Sequence, residues 1–423
     1  MAQNGTARPG TTKPTPVLHG TARLGSAPTR GARAGHGAAA SPGRRGGAGG
    51  ARGAPGNSAP GPARGHCPVP GVQGRCGPDP VLAAAPAPSP LVPRVSPLRS
   101  LSPDLLPGMG SWLWLWLAVL AGLLWLRRWH RERQTVPGLS EKFVLITGCD
   151  SGFGNLLARQ LDARGLRVLA GCLTEPGAAR LRAATSQRLQ TILLDVTSSH
   201  SIAAATAWVR EHVGDRGLWG LVNNAGIFNP VGPNEWLSKD DFVKVLDVNL
   251  VGLIEVTLSL LPLVRRARGR VVNVASMVGR IALVGGGYCV SKYGVEAFSD
   301  SLRRELRDFG VKVSIIEPGC FQTSILDSDE VRQSIVRAWD CAPDEVKQEY
   351  GQQYFQAYNS NFQHFIVTAN PKLSLVTNAM EHALTAEYPR TRYGCGLDAR
   401  LFYIPLSYLP SAWADRLLAT STT

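Results

Sequence analysis

The stretch K-F-V-L-I-T-G-C-D-S-G-F-G, Lys142 to Gly154, carries a short apolar run into a glycine-rich turn and then directly into a segment with helical periodicity. Glycines at positions 148, 152 and 154 allow a tight turn and a close approach of the backbone to a ligand. The N-terminus of a helix offers unpaired N–H groups and partial positive charge, which suit a pyrophosphate. The spacing is T-G-x-x-x-G-x-G rather than G-x-G-x-x-G. The stretch therefore predicts a strand, a phosphate-binding loop and a helix.

The sequence that follows repeats this alternation of apolar runs and amphipathic segments. Helices are predicted near Pro176–Thr185 and Ile202–Val213, and around them stand the apolar runs L-R-V-L-A-G-C, T-I-L-L-D and L-W-G-L-V-N-N. Apolar strands that alternate with helices are typical of a parallel sheet covered on both faces. We therefore predict a single α/β domain at residues 140–423, a doubly wound Rossmann-type sheet that binds its ligands at the carboxyl ends of the strands.

A tyrosine and a lysine stand four residues apart in G-G-G-Y-C-V-S-K, Gly285 to Lys292, at the predicted start of a long helix. Positions i and i+4 share one helix face, so Tyr288 and Lys292 could serve one pocket. A cation near a phenol favours the phenolate and lowers a pKa that is normally near 10. General acid–base chemistry near neutral pH requires that shift. The same spacing also occurs by chance on solvated helices, so the pair alone does not establish a function.

Further motifs resemble those of the short-chain dehydrogenase/reductase family in order and spacing. After the glycine turn come L-L-D-V at Leu193–Val196, N-N-A-G at Asn223–Gly226, L-D-V-N ending at Asn249, N-V-A-S ending at Ser276, Y-C-V-S-K, and E-P-G-C-F-Q-T at Glu317–Thr323. The resemblance spans roughly residues 142 to 410. It implies the Rossmann-type fold and the oxidation or reduction of an alcohol or carbonyl with a nicotinamide cofactor.

The resemblance also implies a catalytic tetrad of Asn249, Ser276, Tyr288 and Lys292. Tyr288 would take the hydroxyl proton of an alcohol while hydride leaves the same carbon for nicotinamide. Ser276 would hydrogen-bond the substrate oxygen. Lys292 would lower the pKa of Tyr288 and hold the nicotinamide ribose, and Asn249 would support a water that links Lys292 to solvent.

The residues expected to hold the dinucleotide come from the same motifs. They are Thr147, Gly148, Asp150, Ser151, Gly152, Phe153, Gly154, Asp195, Asn223, Ala225, Gly226, Tyr288, Lys292, Pro318, Gly319 and Thr323. Asp195 resembles the residue that binds the adenine amino group, and a helix N-cap is its alternative reading. Gly319 and Thr323 resemble the turn that clamps the carboxamide.

The cofactor subtype depends on the end of the second apolar run, G-C-L-T-E-P. An arginine there would bind a 2′-phosphate and an aspartate would bind the ribose hydroxyls, whereas Leu173 does neither. Asp150 and Glu175 place negative charge nearby, and the nearest basic residue in sequence is Arg180. Because these carboxylates would repel a phosphate dianion, NAD is predicted rather than NADP.

The expected substrate is a lipophilic alcohol. The segments C-D-S-G-F-G, E-A-F-S-D-S-L-R-R-E-L and P-R-T-R-Y resemble the microsomal retinol dehydrogenase branch of the family, which implies retinol or a 3α- or 17β-hydroxysteroid as substrate. Aromatic residues follow the P-G turn and either line an apolar pocket or pack within a helical lid: Trp339, Tyr350, Tyr354, Phe355 and Tyr358. A homodimer is also expected. The alternative is a catalytically silent dinucleotide-binding sensor or scaffold at a membrane.

Residues 1–108 differ in composition from the rest of the chain. They hold 20 Gly and 19 Pro, and their 12 Lys/Arg against 2 Asp/Glu account for most of the formal net charge of +14. Such a segment buries too little apolar surface to offset the entropy of ordering, so a disordered tail is predicted. It lacks the interleaved aromatic residues of a nucleic-acid binder, and no nucleic-acid partner is expected.

A membrane anchor is predicted at residues 109–133. The uncharged run Trp112–Leu126 is shorter than the roughly 20 residues of a usual span, so a buried core helix is the alternative, but tryptophans followed by arginines suit a membrane interface. The flanking cations are Arg127, Arg128, Arg131 and Arg133. They predict that a single N-terminal anchor leaves the catalytic domain in the cytosol. The resemblance to the microsomal branch implies that the membrane is that of the endoplasmic reticulum.

The eight cysteines are scattered, with no C-x-x-C pair and no His/Cys spacing of the kind that holds zinc. They are expected to be small buried hydrophobic residues, and no metal site is predicted.

Overall fold

The computed structural model describes the backbone of residues 107–421 and the side chains of residues 112–419. The predicted tail falls on residues 1–108 and therefore lies, except for its last two residues, outside the described part of the chain.

Seven parallel strands form one sheet in the order β3-β2-β1-β4-β5-β6-β7. The strands are β1 Phe143–Thr147, β2 Arg167–Cys172, β3 Gln190–Leu193, β4 Gly220–Asn223, β5 Arg270–Val274, β6 Lys312–Pro318 and β7 Arg392–Cys395. All residues of β1, β4 and β5 are buried, because helices cover both faces of a parallel sheet. The predicted doubly wound sheet is confirmed.

Helices alternate with the strands and close both faces. They are α1 Pro107–Glu132, α2 Gly152–Ala163, α3 Glu175–Ala183, α4 Ser199–Val213, α5 Lys239–Leu246, α6 Leu253–Arg266, α7 Gly287–Glu305, α8 Ser328–Cys341, α9 Asp344–Val367, α10 Ser374–Thr385, α11 Ile404–Leu406 and α12 Ser411–Ser421. Side chains of β1 alternate between the two layers. Val144 and Ile146 pack with α2, α3 and α10, whereas Leu145 packs with α4 and α6.

The chain reverses its direction across the sheet between β1 and β4. From β1 it winds outward through β2 to β3 and then returns to β4 on the other side of β1. A parallel sheet opens a crevice at the carboxyl ends of the strands where this reversal occurs. The crevice therefore lies beyond Thr147 and Asn223, the last residues of β1 and β4.

Within residues 107–421, the segment Lys239–Arg266 is long and apolar enough to cross a membrane by its length and composition. It comprises α5, a π-helical turn at Asp247–Gly252 and α6. Val256, Leu260 and Leu263 on α6 are buried against the sheet. The segment is therefore a core helix of the α/β domain.

Helix α1 differs from the other helices because its large apolar side chains face outward. Trp114 is 73% exposed and Trp116 is 69% exposed. Only the end of α1 is tied to the domain: Glu132 forms an ion pair with Arg390, and Thr135 forms an isolated antiparallel bridge with Ala386. The apolar run Trp112–Leu126 thus has no protein core around it in the described structure.

Candidate active site

A cavity of about 440 Å³ lies at the carboxyl ends of the strands, where the sheet topology places a crevice. One half is lined by the glycine loop, by Leu173–Thr174 after β2 and by Asp195. The other half is lined largely by apolar side chains, among them Phe228, Leu283 and Phe362. Tyr288 and Ser276 also line this cavity. It therefore joins a backbone-rich half to an apolar half, with ionisable and hydroxyl groups within the same space.

The glycine loop has the backbone that a phosphate requires. Gly148 and Gly152 have φ of 70° and 59°, and a Cβ on Gly148 would lie 2.8 Å from the Cα of Ala225. A Cβ on Gly154 would clash with the carbonyl oxygen of Gly148. Ser151, the N-cap of α2, makes no capping hydrogen bond with its side chain, and the first turn of α2 holds no acidic residue. The start of α2 therefore fits the pyrophosphate of a dinucleotide.

The N-N-A-G motif closes the loop from the neighbouring strand. The Thr147 hydroxyl accepts hydrogen bonds from the backbone N–H groups of Asn224 and Ala225, each at 3.0 Å. The Asn224 amide in turn donates to the carbonyl oxygens of Thr147 and Gly148. Asn224 lines the cavity with Ala225 and Gly226, although the sequence motifs predict only its neighbours as cofactor-binding residues. Its position beside Asn223 in the same motif was the only sequence signal.

The Asn223 side chain points away from the cavity. Its amide nitrogen donates to Thr257 and to Asn273, both at 2.8 Å, and Asn223 is 3% exposed. Asn223 therefore ties β4 to β5 and α6, and its side chain does not reach a ligand in the cavity. Thr147 likewise acts through the N-N-A-G backbone. Neither Asn223 nor Thr147 lines the cavity, so any contribution of these two residues to cofactor binding is indirect, through the backbone that they hold in place.

Asp150 connects the glycine loop to the end of β2. Its carboxylate accepts hydrogen bonds from the backbone N–H groups of Leu173 and Thr174, at 2.7 and 3.0 Å, and from the Thr174 hydroxyl at 2.7 Å. Glu175 pairs with Arg182, two helical turns further along α3. Arg180 is the nearest basic residue along the chain, but Arg182 is seven residues from Glu175 and therefore lies on the same face of the helix. Asp150, in contrast to Glu175, therefore has no ion-pair partner among the described residues.

Asp195 lies at the cavity edge after β3. One carboxylate oxygen accepts from the backbone N–H and the hydroxyl of Thr197, at 2.9 and 2.7 Å. Ser198, not Asp195, is the N-cap of α4. The helix N-cap reading of Asp195 is therefore wrong, and the residue instead closes a short turn that leaves it facing the cavity.

Tyr288 lies in the first turn of α7, partly buried against the ring of Phe228 at a centroid distance of 4.8 Å. Burial raises the pKa of Tyr288 above its ordinary value, and a hydrogen bond with Ser276 opposes that rise. Ser276 stands two residues beyond β5, and its hydroxyl accepts from the Val278 N–H at 3.3 Å. The phenol and the hydroxyl are therefore held together at the boundary between the two halves of the cavity.

Lys292 is 5% exposed and donates to the carbonyl oxygen of Val274 at 2.9 Å. Its ammonium lies 5.5 Å from the centroid of the Tyr288 ring. Burial lowers the pKa of Lys292 to about 8. Burial is the largest cause of the raised pKa of Tyr288, and the expected lowering of that pKa by Lys292 stays a prediction.

Asn249 lies in the π-helical turn between α5 and α6 and is fully buried. Its amide exchanges two hydrogen bonds with the backbone of Ile227, at 2.8 and 2.9 Å, and donates to the Ser291 hydroxyl at 3.0 Å. Ser291 stands directly before Lys292 on α7. Asn249 thus fixes the loop after β4 against the helix that carries Tyr288 and Lys292.

The turn after β6 closes the cavity from the opposite side. Pro318, Gly319 and Thr323 all line the cavity. A Cβ on Gly319 would clash with the carboxylate of Asp398, which accepts a hydrogen bond from the Cys320 N–H at 2.8 Å. Two further contacts join this turn to the glycine loop: Ser151 to Ser324 at 2.6 Å between the hydroxyl oxygens, and Phe153 to Phe321 at 5.7 Å between ring centroids.

The apolar half receives two rings from α9, Phe362 and Phe365. The five aromatic residues singled out from the sequence do not line this cavity. Instead they pack around or beside the Trp236 ring: Trp339, Tyr350, Tyr354, Phe355 and Tyr358. For these five the lid-packing alternative holds, and the rings nearer the end of α9 take the cavity positions.

Comparison with known proteins agrees with this arrangement. The pattern of the family described as short chain dehydrogenase matches residues 142–333. The chain is 60% identical over 309 residues to 17-beta-hydroxysteroid dehydrogenase type 6 of Homo sapiens, covering 73% of this chain and 98% of that protein. It is 61% identical over 306 residues to retinol dehydrogenase 16 of Mus musculus, covering 72% and 96%.

Among solved structures, a short-chain dehydrogenase from Streptomyces avermitilis matches with a TM-score of 0.52 at 26% identity, covering 66% of this chain and 95% of that one. A Burkholderia phymatum short chain dehydrogenase/reductase solved with NAD has the same TM-score of 0.52 at 24% identity and shares the fold. The glycine loop, the uncapped start of α2 and the relatives agree on a nicotinamide dinucleotide as cofactor. The chain belongs to the short-chain dehydrogenase family and is an oxidoreductase of that family.

Proposed function

We propose that the protein oxidises the hydroxyl group of a lipophilic alcohol with NAD, and that retinol and 3α- or 17β-hydroxysteroids are its substrates. The observation that carries this proposal is the partly buried phenol of Tyr288, which lines the cavity with Ser276 where the dinucleotide half meets the apolar half. The relatives' names, which include a retinol dehydrogenase and a 17-beta-hydroxysteroid dehydrogenase, support the substrate class.

The proposed roles follow from what each side chain can do. The Tyr288 oxygen takes the hydroxyl proton of the alcohol, and the Ser276 hydroxyl hydrogen-bonds the same substrate oxygen as carbonyl character develops. The bound cofactor supplies the acceptor for the hydride that leaves the carbinol carbon. Lys292 contributes its positive charge beside the phenol when it is protonated. Asn249 keeps α7 in register with the loop after β4.

The choice of NAD over NADP rests on Asp150. Its carboxylate is fixed at the end of β2 by three hydrogen bonds, and Leu173 beside it is exposed and apolar. A 2′-phosphate at this end would meet a negative charge, and no arginine stands among the described residues that line the cavity. Glu175 contributes less than the sequence indicates, since Arg182 neutralises it.

The substrate half of the cavity favours an alcohol with an extended apolar body. The lining side chains are Phe228, Met277, Val278, Leu283, Val284, Ile325, Leu326, Phe362 and Phe365. Burying a hydrocarbon against such a surface stabilises the complex by about 25 cal/mol per Å² of apolar area. The reacting hydroxyl then finds its polar partners at Tyr288 and Ser276.

We further propose a three-part organisation: a tail at residues 1–108, an endoplasmic reticulum membrane anchor at 109–133 and the catalytic domain at 140–423. The outward-facing tryptophans and leucines of α1 support the anchor, since their burial in lipid would be favourable. The four arginines that follow the apolar run support a cytosolic domain. A homodimer stays a prediction, which light scattering of the detergent-solubilised chain would test.

The test is a turnover screen of microsomes that carry the full chain. Retinol, androstanediol and estradiol are each offered with NAD or NADP, and matched microsomes carrying Tyr288→Phe are the control. The proposal expects aldehyde or ketone formation that requires NAD and the intact tyrosine. Binding of NAD without turnover of any hydroxylated lipid would contradict it and would be the behaviour of the sensor or scaffold.

A further inference from the structure

A second cavity, of about 740 Å³, lies between the end of α1 and the segment that leads into β7. Its lining differs from that of the catalytic cavity, because five of its ten lining residues are arginines and one is acidic. Arg127, Arg128 and Arg131 come from α1, and Arg390 and Arg392 come from the other wall. We call this cavity the arginine cleft.

The charges of the arginine cleft are only partly balanced. Glu132 is its single acidic lining residue and pairs with both Arg128 and Arg390. These partners hold the pKa of Glu132 down at about 2, the hydrogen bond from Arg390 being the largest cause. Within residues 107–421, no carboxylate forms an ion pair with Arg127 or Arg131. Arg392 is paired outside the cleft lining with Glu296, Asp300 and Glu317. The excess of positive charge in the cleft at neutral pH therefore comes from Arg127 and Arg131, and from Arg128 and Arg390, which share one carboxylate.

Two cations lie against the Tyr388 ring: Arg131 of the cleft and one further cation, Lys312. The Arg131 guanidinium lies 4.0 Å from the centroid of that ring, and the Lys312 ammonium lies 5.6 Å from it. Burial lowers the pKa of Lys312, and Arg270 and Arg131 lower it further. The positive charges at this edge of the sheet thus repel one another, and a bound anion would reduce that repulsion.

Helix dipoles do not account for the arrangement. Arginines in the last turns of α1 complement the negative end of its dipole, and that explains Arg128 and Arg131. Arg390 and Arg392 belong to a different part of the fold, before and at the start of β7, and they converge on the same cleft. The tertiary structure, rather than one helix, therefore assembles the cluster.

The position of the cleft along α1 indicates the source of the anion. Leu124, from the apolar run Trp112–Leu126, lines the cleft together with the arginines one to two turns later. If α1 enters the bilayer as proposed, the end of that run lies at the boundary between hydrocarbon and headgroups. A cleft with an apolar lip and a basic interior at that depth matches the acyl chain and the phosphate of a lipid.

We propose that the arginine cleft binds the phosphate headgroup of an anionic phospholipid in the cytosolic leaflet, and so holds the catalytic domain against the membrane. This inference rests on the proposed anchor, but not on the substrate or the cofactor. Arg127 and Arg131, which no carboxylate among the described residues pairs with, are the groups free to bind the phosphate. Arg390 and Arg392 shape the opposite wall.

The test uses the full chain in phosphatidylcholine nanodiscs and measures the association of spin-labelled phosphatidylserine relative to spin-labelled phosphatidylcholine. Each cation near an anionic surface changes the association by about 1 kcal/mol, or roughly fivefold. The double variant Arg127→Gln/Arg131→Gln should therefore lose at least fivefold in serine-lipid preference. The matched control is Arg332→Gln/Arg337→Gln on the exposed face of α8, which should keep it.

Several outcomes would overturn the proposal. These are no preference for the anionic lipid in the unchanged chain, equal preference in the cleft variant, or full competition by millimolar inorganic phosphate, which would indicate a free-anion site. The single variants Arg127→Gln and Arg131→Gln cover the case in which the double variant misfolds, each with a partial loss. Failure of the chain to enter the discs would contradict the anchor and this inference together. Turnover of the alcohol, measured in parallel, tests the proposed function independently of this result.

Discussion

Replacing Tyr288 by phenylalanine removes one oxygen from the centre of the cavity and leaves the rest of the side chain in place. The ring keeps its edge-to-face contact with Phe228, and Ser276 keeps its backbone partners Val278 and Pro318. No buried polar group is left without a partner, so the free energy of unfolding should change by only about 1 kcal/mol. The dinucleotide half of the cavity is formed by other residues, so the Kd for NAD should stay within about threefold.

The effect on turnover should be much larger. A general base is worth roughly 10²–10⁴-fold in rate, which corresponds to about 3–5 kcal/mol of transition-state stabilisation. We therefore expect kcat for alcohol oxidation to fall by at least 10²-fold at pH 7.5. The assay is the formation of reduced nicotinamide by absorbance, with NAD binding followed separately by quenching of protein fluorescence. Activity within tenfold of the unchanged enzyme would refute the assignment of Tyr288 as the base.

The role of Tyr288 as the base also predicts how the rate of alcohol oxidation changes with pH. Because burial raises the pKa of Tyr288, the phenolate is scarce at neutral pH, and oxidation should accelerate as pH rises toward that pKa. The reverse reduction needs the protonated phenol and should slow over the same range. Lys292→Met should lose turnover, and a profile merely displaced to higher pH would mean that the lysine only tunes the phenol. A flat oxidation rate between pH 6 and 9 would contradict a tyrosine base.

Three further predictions concern the cofactor, the fold and the membrane. Asp150→Asn should narrow the preference for NAD over NADP by roughly fivefold, since a carboxylate and a phosphate dianion on the order of 8 Å apart repel by about 1 kcal/mol in water. Equal Kd values for the two cofactors in the unchanged chain would contradict the proposed repulsion by Asp150. Arg392→Gln should lower the free energy of unfolding by roughly 3 kcal/mol in urea titrations, because it leaves the buried Glu296 without its cation, while Glu317 keeps Arg280. The exposed Arg332→Gln should change it by under about 0.5 kcal/mol. Deleting residues 109–133 should release the protein from microsomes in alkaline carbonate, whereas deleting residues 1–108 should leave it attached. Orientation is tested separately: efficient glycosylation of a sequon engineered near the carboxyl terminus would show that the domain is not cytosolic.

The sheet and its crevice follow from local patterns in the sequence. Apolar runs such as K-F-V-L-I-T cannot sit on a half-exposed sheet, and their alternation with helices leaves few arrangements other than a parallel sheet. The glycine spacing then places the loop at the end of β1. The structure shows these elements within a few residues of the predicted positions, for example α7 at Gly287–Glu305 and β2 at Arg167–Cys172.

Side-chain direction could not be read from the motifs. Asn223 and Asn224 are adjacent and identical, yet one points into the core and the other into the cavity, because consecutive residues at the end of a strand face opposite sides. The partner of Glu175 was missed for a related reason, since Arg182 is close on the helix surface but not along the chain. Contacts of this kind depend on three-dimensional neighbours that a single sequence does not specify.

The aromatic residues after the P-G turn show a second limit. Composition predicts that a helical lid rich in tyrosine and phenylalanine covers the site, but it does not determine which rings face the ligand. The kink at Gly351, with φ of 74°, changes the direction of α9, and it is Phe362 and Phe365 that reach the cavity. The direction of the pKa shift of Tyr288 is a similar case, because it depends on burial among residues that are distant along the chain.

The central claim, hydride transfer from a lipophilic alcohol to NAD at Tyr288, is tested most directly by the fate of the carbinol hydrogen. Microsomes with the full chain receive NAD and a deuterated alcohol, and mass spectrometry follows the nicotinamide. The alcohol is either retinol with both carbinol hydrogens replaced by deuterium or a hydroxysteroid with deuterium on its carbinol carbon. We predict one deuterium in each reduced cofactor molecule and almost none formed with Tyr288→Phe. Reduced cofactor without deuterium, or bound NAD that is never reduced by any of these alcohols, would contradict the claim.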